Sequence, residues 1–322
     1  MASNASRPLN QFMRRLKLRD LQVLSAVVQL GSMAKAAAWL AMSQPAVSQS
    51  VAGLEQVLGV RLLDRTSRGV EPTVYAIALL KRSRVVFDEL EQAAAEIAFL
   101  ANPTVGEVRV AAGDTLAAGL LPRAIDRLSA EYPSIVVHVM QTNADGQEFR
   151  ELRERRIDFA LARTAKELAH DDLQFELLFD DPHRVVAGAI SPWARRRKIA
   201  LADLVHERWV FASNHVIREL IAEAFAARGL AMPQECVRAN SILLRNDLLA
   251  TGRFLTVLPD SVLRCHARQW SLKALAVDLD VKPRSVAMVS LKSRAISPVA
   301  QVFAKHVRAA AKDLGLRRMQ VP

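Results

Sequence analysis

Three blocks of helical hydrophobic spacing, cut apart by single glycines, fill residues 16–59 and tightly limit what the front of this chain can become. Leu16, Leu18, Leu21, Leu24, Val27, Val28 and Leu30 recur at helical spacing, and Gly31 stops the run as a C-terminal glycine does. Ser32 can cap the next helix, MAKAAAWLAM, whose Ala36, Ala37 and Ala38 are small enough for another helix to cross closely. Ser43 then stands where an N-cap belongs, and Pro45 falls in the first turn, where its missing N–H costs nothing. A third helix is expected from about Gln44 to Leu58, ended by Gly59. Val47, Val51, Leu54 and Leu58 form its inner stripe, while Pro45, Ser48, Gln49, Ala52 and Gln56 face outward.

Two helices joined by a three- or four-residue turn make a helix-turn-helix, which presents its second helix to the major groove. Ser43, Gln44, Ser48 and Gln49 carry short hydrogen-bonding arms with no histidine or cysteine near them. They suit the reading of base edges and not catalysis. The segment VRLLDRTSRGVEPT follows, with Arg61, Arg65, Thr66 and Arg68 around a Ser-Arg-Gly turn between two short extended stretches. That is the pattern of a β-hairpin wing whose arginines contact the nucleic-acid backbone or minor groove. The formal net charge of +11 and pI of about 10.2 agree with a polyanionic partner.

This N-terminal segment, from LRDLQVL through RGVEPT, resembles the LysR-type transcriptional regulator family. The family's SQPAxS is Ser43-Gln44-Pro45-Ala46-Val47-Ser48 here, and its LExxLGxxLFxR runs from Leu54-Glu55 through Leu58-Gly59 to Leu62-Leu63-Asp64-Arg65. Two positions depart from the pattern. Gln49 stands where the family often has a basic residue, and Thr73-Val74-Tyr75-Ala76 replaces TxAG after the wing. The resemblance implies a winged helix-turn-helix that binds promoter DNA as a homodimer or homotetramer, and an effector-binding domain with a periplasmic-binding-protein-like fold.

From Tyr75 to about Leu100 there is neither glycine nor proline. Leu79, Ser83, Val86, Leu90, Ala93, Ile97 and Leu100 alternate in steps of four and three, a heptad-like seam suited to pairing with a second copy. Packing against the helix's own domain is the alternative. Beyond Asn102, Pro103 and Gly106 the texture changes to alternating strands and helices, which argues for a parallel α/β sheet with right-handed crossovers. The expected organisation is α+β with two domains. Residues 1–74 form the winged helix-turn-helix, 75–102 a linker helix, and 103–322 a two-lobed α/β effector domain. Its first lobe takes residues 106–178 and 284–322, its second residues 179–283, joined by two crossing strands near Leu178–Asp181 and Val277–Arg284.

In open α/β sheets a ligand lies beyond the carboxyl ends of the strands. Those ends supply Asp114 and Thr115, Thr142 and Asn143, and Arg163, whose fork suits a carboxylate. In the second lobe Ser213, Asn214 and His215 precede one helix, and Asn240 and Ser241 precede another. Thr115, Thr142 and Arg163 resemble the family's contact positions, whereas Asp114 and Arg156 depart from its usual small hydroxyl residue and glycine. The expected effector is a small organic anion carrying a carboxylate.

Neither cysteine, Cys236 or Cys265, lies in a CxxC, no His/Cys spacing suits a metal, and no motif asks for a cofactor. GDTLAAGL is no phosphate loop, GxSxG is missing, and the seven histidines are scattered, so no catalytic residue is assigned. No apolar run reaches the roughly 18 residues that span a bilayer, and the N-terminus lacks a signal-peptide core. A cytoplasmic, non-enzymatic, ligand-responsive regulator is expected. A purely architectural DNA-coating protein would leave some two hundred residues of α/β fold without a use.

Overall fold

The computed structural model describes residues 15–66, 69–142, 149–164, 170–213 and 215–316, and the chain divides into two compact units between Gln92 and Ala93. The first unit opens with α1 (Leu18–Leu30), α2 (Met33–Trp39) and α3 (Gln44–Leu58). Their ends follow the sequence signals. Gly31 and Gly59 adopt φ of 63° and 70°, the left-handed conformation that ends a helix at little steric cost, and Ser32 and Ser43 accept N-cap hydrogen bonds from the amides of Lys35 and Ala46. Leu21, Leu24, Val27, Ala36, Val47, Val51 and Leu54 are buried together, so Ala36 and Ala37 of α2 do admit close helix packing, whereas Ala38 is exposed. The hairpin β1 (Leu63–Thr66) and β2 (Gly69–Pro72) pairs antiparallel, and α4 (Val74–Ala101) follows.

The second unit contains two five-stranded sheets. In the first lobe, β3 (Val105–Ala112) leads to α5 (Asp114–Gly119), α6 (Leu121–Glu131) and β4 (Ser134–Gln141); then come α7 (Arg150–Arg153), β5 (Phe159–Thr164) and β6 (Leu173–Asp181). The second lobe comprises β7 (His183–Gly188), β8 (Arg208–Phe211), α8 (His215–Ala226), β9 (Glu235–Arg238), α9 (Ile242–Ala250), β10 (Phe254–Pro259), α10 (Asp260–His266) and β11 (Leu272–Ala274). The chain returns to the first lobe through β12 (Arg284–Leu291) and α11 (Pro298–Asp313). Strand order is β4-β3-β5-β12-β6 in one sheet and β11-β7-β10-β8-β9 in the other.

The expected parallel pairing holds for β3 with β4 and β5 and for β8 with β9 and β10. The return strand β12 instead enters antiparallel between β5 and β6, and β7 lies antiparallel to β10. Both sheets are therefore mixed. A strand that comes back from the other lobe has no crossover helix to set a parallel direction. Within the described residues GQEFRELRERR holds only the four-residue α7, and LADLV opens as a 3₁₀ turn, Leu201–Leu204. Phe159, Phe303, Val110 and Leu161 sit in the core of the first lobe, and Trp209, Phe211, Phe225 and Leu255 in that of the second.

Candidate functional site

In the first unit, Ser43, Gln44, Pro45 and Gln49 are exposed and Ser48 is half-buried at the start of α3, whereas Val47, Val51 and Leu54 of that helix are buried. Ser43 is partly committed, since its hydroxyl accepts from the Ala46 amide at 3.4 Å. The turn before α3 is closed by Ala41 at φ 52° and by a bond from the Met42 amide to the Ala37 carbonyl, 2.9 Å. Arg61 is exposed, and its carbonyl accepts from the Thr73 hydroxyl at 2.9 Å. Arg65 and Thr66 lie on β1, with side chains outside the described set, as is the whole of Arg68.

Sequence reasoning missed the part played by Glu55. Its Oε1 accepts from the amides of Leu62 at 2.7 Å and Leu63 at 3.3 Å, tying the end of α3 to the start of the wing. Gly69 completes the hairpin's seating. The Val70 amide donates to the Gly31 carbonyl at 3.1 Å, and a β-carbon on Gly69 would stand 2.5 Å from that oxygen.

In the first lobe, Asp114, Thr115, Gln141 and Arg163 gather at the carboxyl ends of β3, β4 and β5. Gln141 donates to the Asp114 carboxylate, and the Thr142 amide donates to the Ala112 carbonyl at 3.2 Å. Arg163 is not a free cleft cation. It is buried, with Nε and Nη2 donating to Asp181 Oδ2 at 3.2 and 2.7 Å and Nη1 donating to the Thr115 hydroxyl at 2.5 Å. Asp181 also accepts from the Ser261 amide at 2.9 Å and hydroxyl at 2.6 Å. The fork that the sequence offered to a ligand carboxylate is thus engaged by Asp181, and the cluster fastens α10 of the second lobe to the first. Cys265 Sγ to the Gly119 carbonyl, 3.0 Å, and His266 Nε2 with the Ala118 carbonyl, 2.9 Å, add to the same junction. His183 is buried beside it. Burial first, then the positive charges of Arg163 and Arg284, push its pKa down to about 3 against the pull of Asp181.

In the second lobe, the exposed Ser213 donates its amide to Asn240 Oδ1 at 3.1 Å, and Ser241 caps α9 by accepting from the Leu244 amide at 3.3 Å. Asn143 and Asn214 lie outside the described residues, and His215 is described by its backbone alone as the first residue of α8. The buried face of α9 carries Arg245, Asn246 and Leu249. Burial lowers the pKa of the Arg245 guanidinium, and the negative charge of Asp114, from the other lobe, opposes that shift. Among the described residues no group of His, Cys, Asp or Glu could hold a metal, and no single helix is long and apolar enough to cross a membrane.

Two family models match the chain: the bacterial regulatory helix-turn-helix protein of the lysR family over residues 18–76, and the LysR substrate binding domain over residues 101–312. The transcriptional regulator GbpR of Azospirillum brasilense is 26% identical over 318 residues, 98% of this chain and 93% of that protein. A hydrogen peroxide-inducible genes activator of Pectobacterium carotovorum subsp. carotovorum is 29% identical over 247 residues, 76% of this chain and 80% of the relative. Among solved structures, a full-length OxyR variant from Pseudomonas aeruginosa superposes with a TM-score of 0.65 at 20% identity, covering 95% of this chain and 99% of that one. CbnR, a LysR family transcriptional regulator, gives 0.61 at 23% identity over 92% and 100%. With both models matched in order and together spanning most of its length, the chain belongs to the LysR family of bacterial helix-turn-helix transcriptional regulators.

Proposed function

We propose that α3 reads promoter DNA through Gln44, Ser48 and Gln49, that Ser43 and Pro45 set the helix start against the backbone, and that Arg61, Arg65, Thr66 and Arg68 of the wing hold phosphates. A small organic anion bound between the lobes of the second unit then alters how the DNA-binding units of an oligomer are presented. The observation that carries this reading is the exposed run of short polar side chains on α3, capped by Ser43 and followed directly by the hairpin. Short donors and acceptors on a groove-sized helix discriminate bases, whereas arginines alone supply only salt-sensitive attraction. Further support comes from two structures of the same fold, full-length CbnR complexed with its target DNA and the effector binding domain of QuiR in complex with shikimate.

Effector contacts are assigned to the strand-end residues Asp114, Thr115, Thr142 and Asn143 of one lobe and to Ser213, Asn214, His215 and Ser241 of the other. Arg163 acts on the ligand through Thr115, which it orients, and not by direct contact. The test is binding of the purified protein to the intergenic fragment beside its own gene, against a scrambled fragment of equal length, across a salt series. The native fragment should bind about a thousandfold tighter at physiological salt. Gln49→Ala should narrow that gap while leaving scrambled-fragment binding near its original value. If both fragments bind alike and fade together with salt, only phosphate attraction is at work and the reading fails.

A further inference from the structure

Helix α9 buries the Arg245 guanidinium, whose Nε has no hydrogen-bond partner among the described residues. Arg245 is 3% exposed and Asn246 7% exposed, yet among the described residues the Arg245 side chain makes no hydrogen bond or ion pair, and its Nε is buried without a partner. Both amide atoms of Asn246 are likewise buried and unsatisfied. Buried polar groups in folded proteins are nearly always paired, so three orphaned atoms on neighbouring residues of one helix face point to a partner that arrives from outside the chain. Ser241 caps this helix directly after β9, at the carboxyl end of the second lobe's sheet, where ligands of such folds sit. The opposite lobe presents the Asp114 carboxylate, held by Gln141.

These groups ask for different things. A guanidinium fork and an amide N–H pair bind a carboxylate, the guanidinium bidentately. An ionised Asp114 accepts hydrogen bonds only, and it repels a second negative charge. Arg163, near the end of β5, is already paired with Asp181. We propose that the effector is a small carboxylate that also carries a hydrogen-bond donor, a hydroxyl or an ammonium group. Its carboxylate meets Arg245 and Asn246 on the second lobe, and its donor meets Asp114 on the first. The assignment rests on the effector-responsive function proposed above. It also gives the ligand a reason to draw the lobes together, because each lobe binds one end.

Matched probes test it on the full-length protein by calorimetry and thermal shift: propionate against L-lactate and L-alanine, and succinate against L-malate and L-aspartate. At least one hydroxy or amino member should bind about tenfold or more tighter than its unsubstituted parent. Arg245→Gln should weaken that ligand by about tenfold or more, and Arg245→Lys should retain part of the affinity. Asp114→Asn should bring the substituted and parent acids to within about threefold of each other. Arg245→Met separates a ligand contact from a structural role. Removing an unpaired buried cation should leave the ligand-free melting temperature unchanged or raised while abolishing binding. The proposal is overturned if no probe binds, if the parents bind as well as the substituted acids, or if Arg245→Gln binds as the wild type does. A footprint on the promoter fragment distinguishes this failure from failure of the broader reading. Binding through Arg245 with an unmoved footprint sinks the effector response and keeps the site. A footprint that shifts with a ligand indifferent to Arg245 keeps the response and sinks the site.

Discussion

Asp181 and His183 flank Pro182 at the first crossing between lobes, and they handle burial in opposite ways. Asp181 is hydrogen-bonded by Arg163 and by both polar groups of Ser261. His183 Nδ1 is buried without a partner among the described residues, and the imidazole stays neutral, with its pKa held down at about 3. That depression has a definite sign. The unfolded chain's imidazole takes its proton near pH 6.5, whereas the folded one waits until about pH 3. Between those values the unfolded state binds the extra proton, so stability falls as pH drops below 6.5. At up to about 1.4 kcal/mol per pH unit, the loss from this residue between pH 7 and 4.5 should be about 2–3 kcal/mol. Denaturant unfolding of wild type and His183→Gln at both pH values should show the wild type losing that much more. Parallel losses would mean that His183 reaches solvent or a partner in the folded state.

Helix α4 shows where periodicity stops being informative. Its bounds, Val74–Ala101, extend the helix expected from Tyr75 to about Leu100 by one residue at each end. The four-three seam, however, serves two purposes. Leu79 packs on the core of the winged unit, and Ser83 is buried with its hydroxyl bonded to the Leu79 carbonyl at 2.8 Å. Val86, Leu90, Ile97 and Leu100 are exposed in the single chain. The spacing identified one face but not what covers it, since that depends on neighbours brought in by the fold or by a second copy. Exposed leucines and isoleucines on one helical stripe are suited to association. Leu90→Asp with Ile97→Asp should weaken self-association by about thirtyfold or more in sedimentation experiments. Helix content should be unchanged, because the two side chains are 48% and 68% exposed. Unaltered sedimentation would assign oligomerisation to surfaces other than α4. Other elements were legible to the extent that they carry local signals. Gly31, Ser43, Pro45 and Gly59 fixed the first three helices, whereas the three-residue strand β11 has no pattern long enough to read.

At the scale of the effector domain, the sequence revealed which residues stand at strand ends, because a strand and the turn after it are local. It did not reveal their partners. Arg163 and Asp181 are 18 residues apart, Asp114 and Gln141 27, and Asp181 and Ser261 80; only the two mixed sheets bring them together. The antiparallel return of β12 and the packing of α10 on α5 do that work, and neither leaves a motif. Gly119 is the tightest point of the second. A β-carbon there would lie 3.1 Å from both the carbonyl carbon and the hydroxyl of Ser261 and 3.2 Å from the Val262 amide. An alanine would need a shift of a few tenths of an ångström. A valine adds two further methyls against backbone that is itself held by Asp181. Gly119→Val should therefore cost about 1–3 kcal/mol in the unfolding of the second unit, the usual range for overpacking. It should also loosen the Cys265 and His266 contacts and weaken any ligand that bridges the lobes, because α5 and α9, which carry Asp114 and Arg245, would be seated apart. Specific DNA affinity without ligand should be unchanged, since Gly119 lies outside the winged unit. Thermal unfolding together with a ligand-dependent footprint checks both halves. A destabilised protein with a normal ligand response would mean that the α5–α10 junction only holds the lobes together and does not set the spacing that the effector reads.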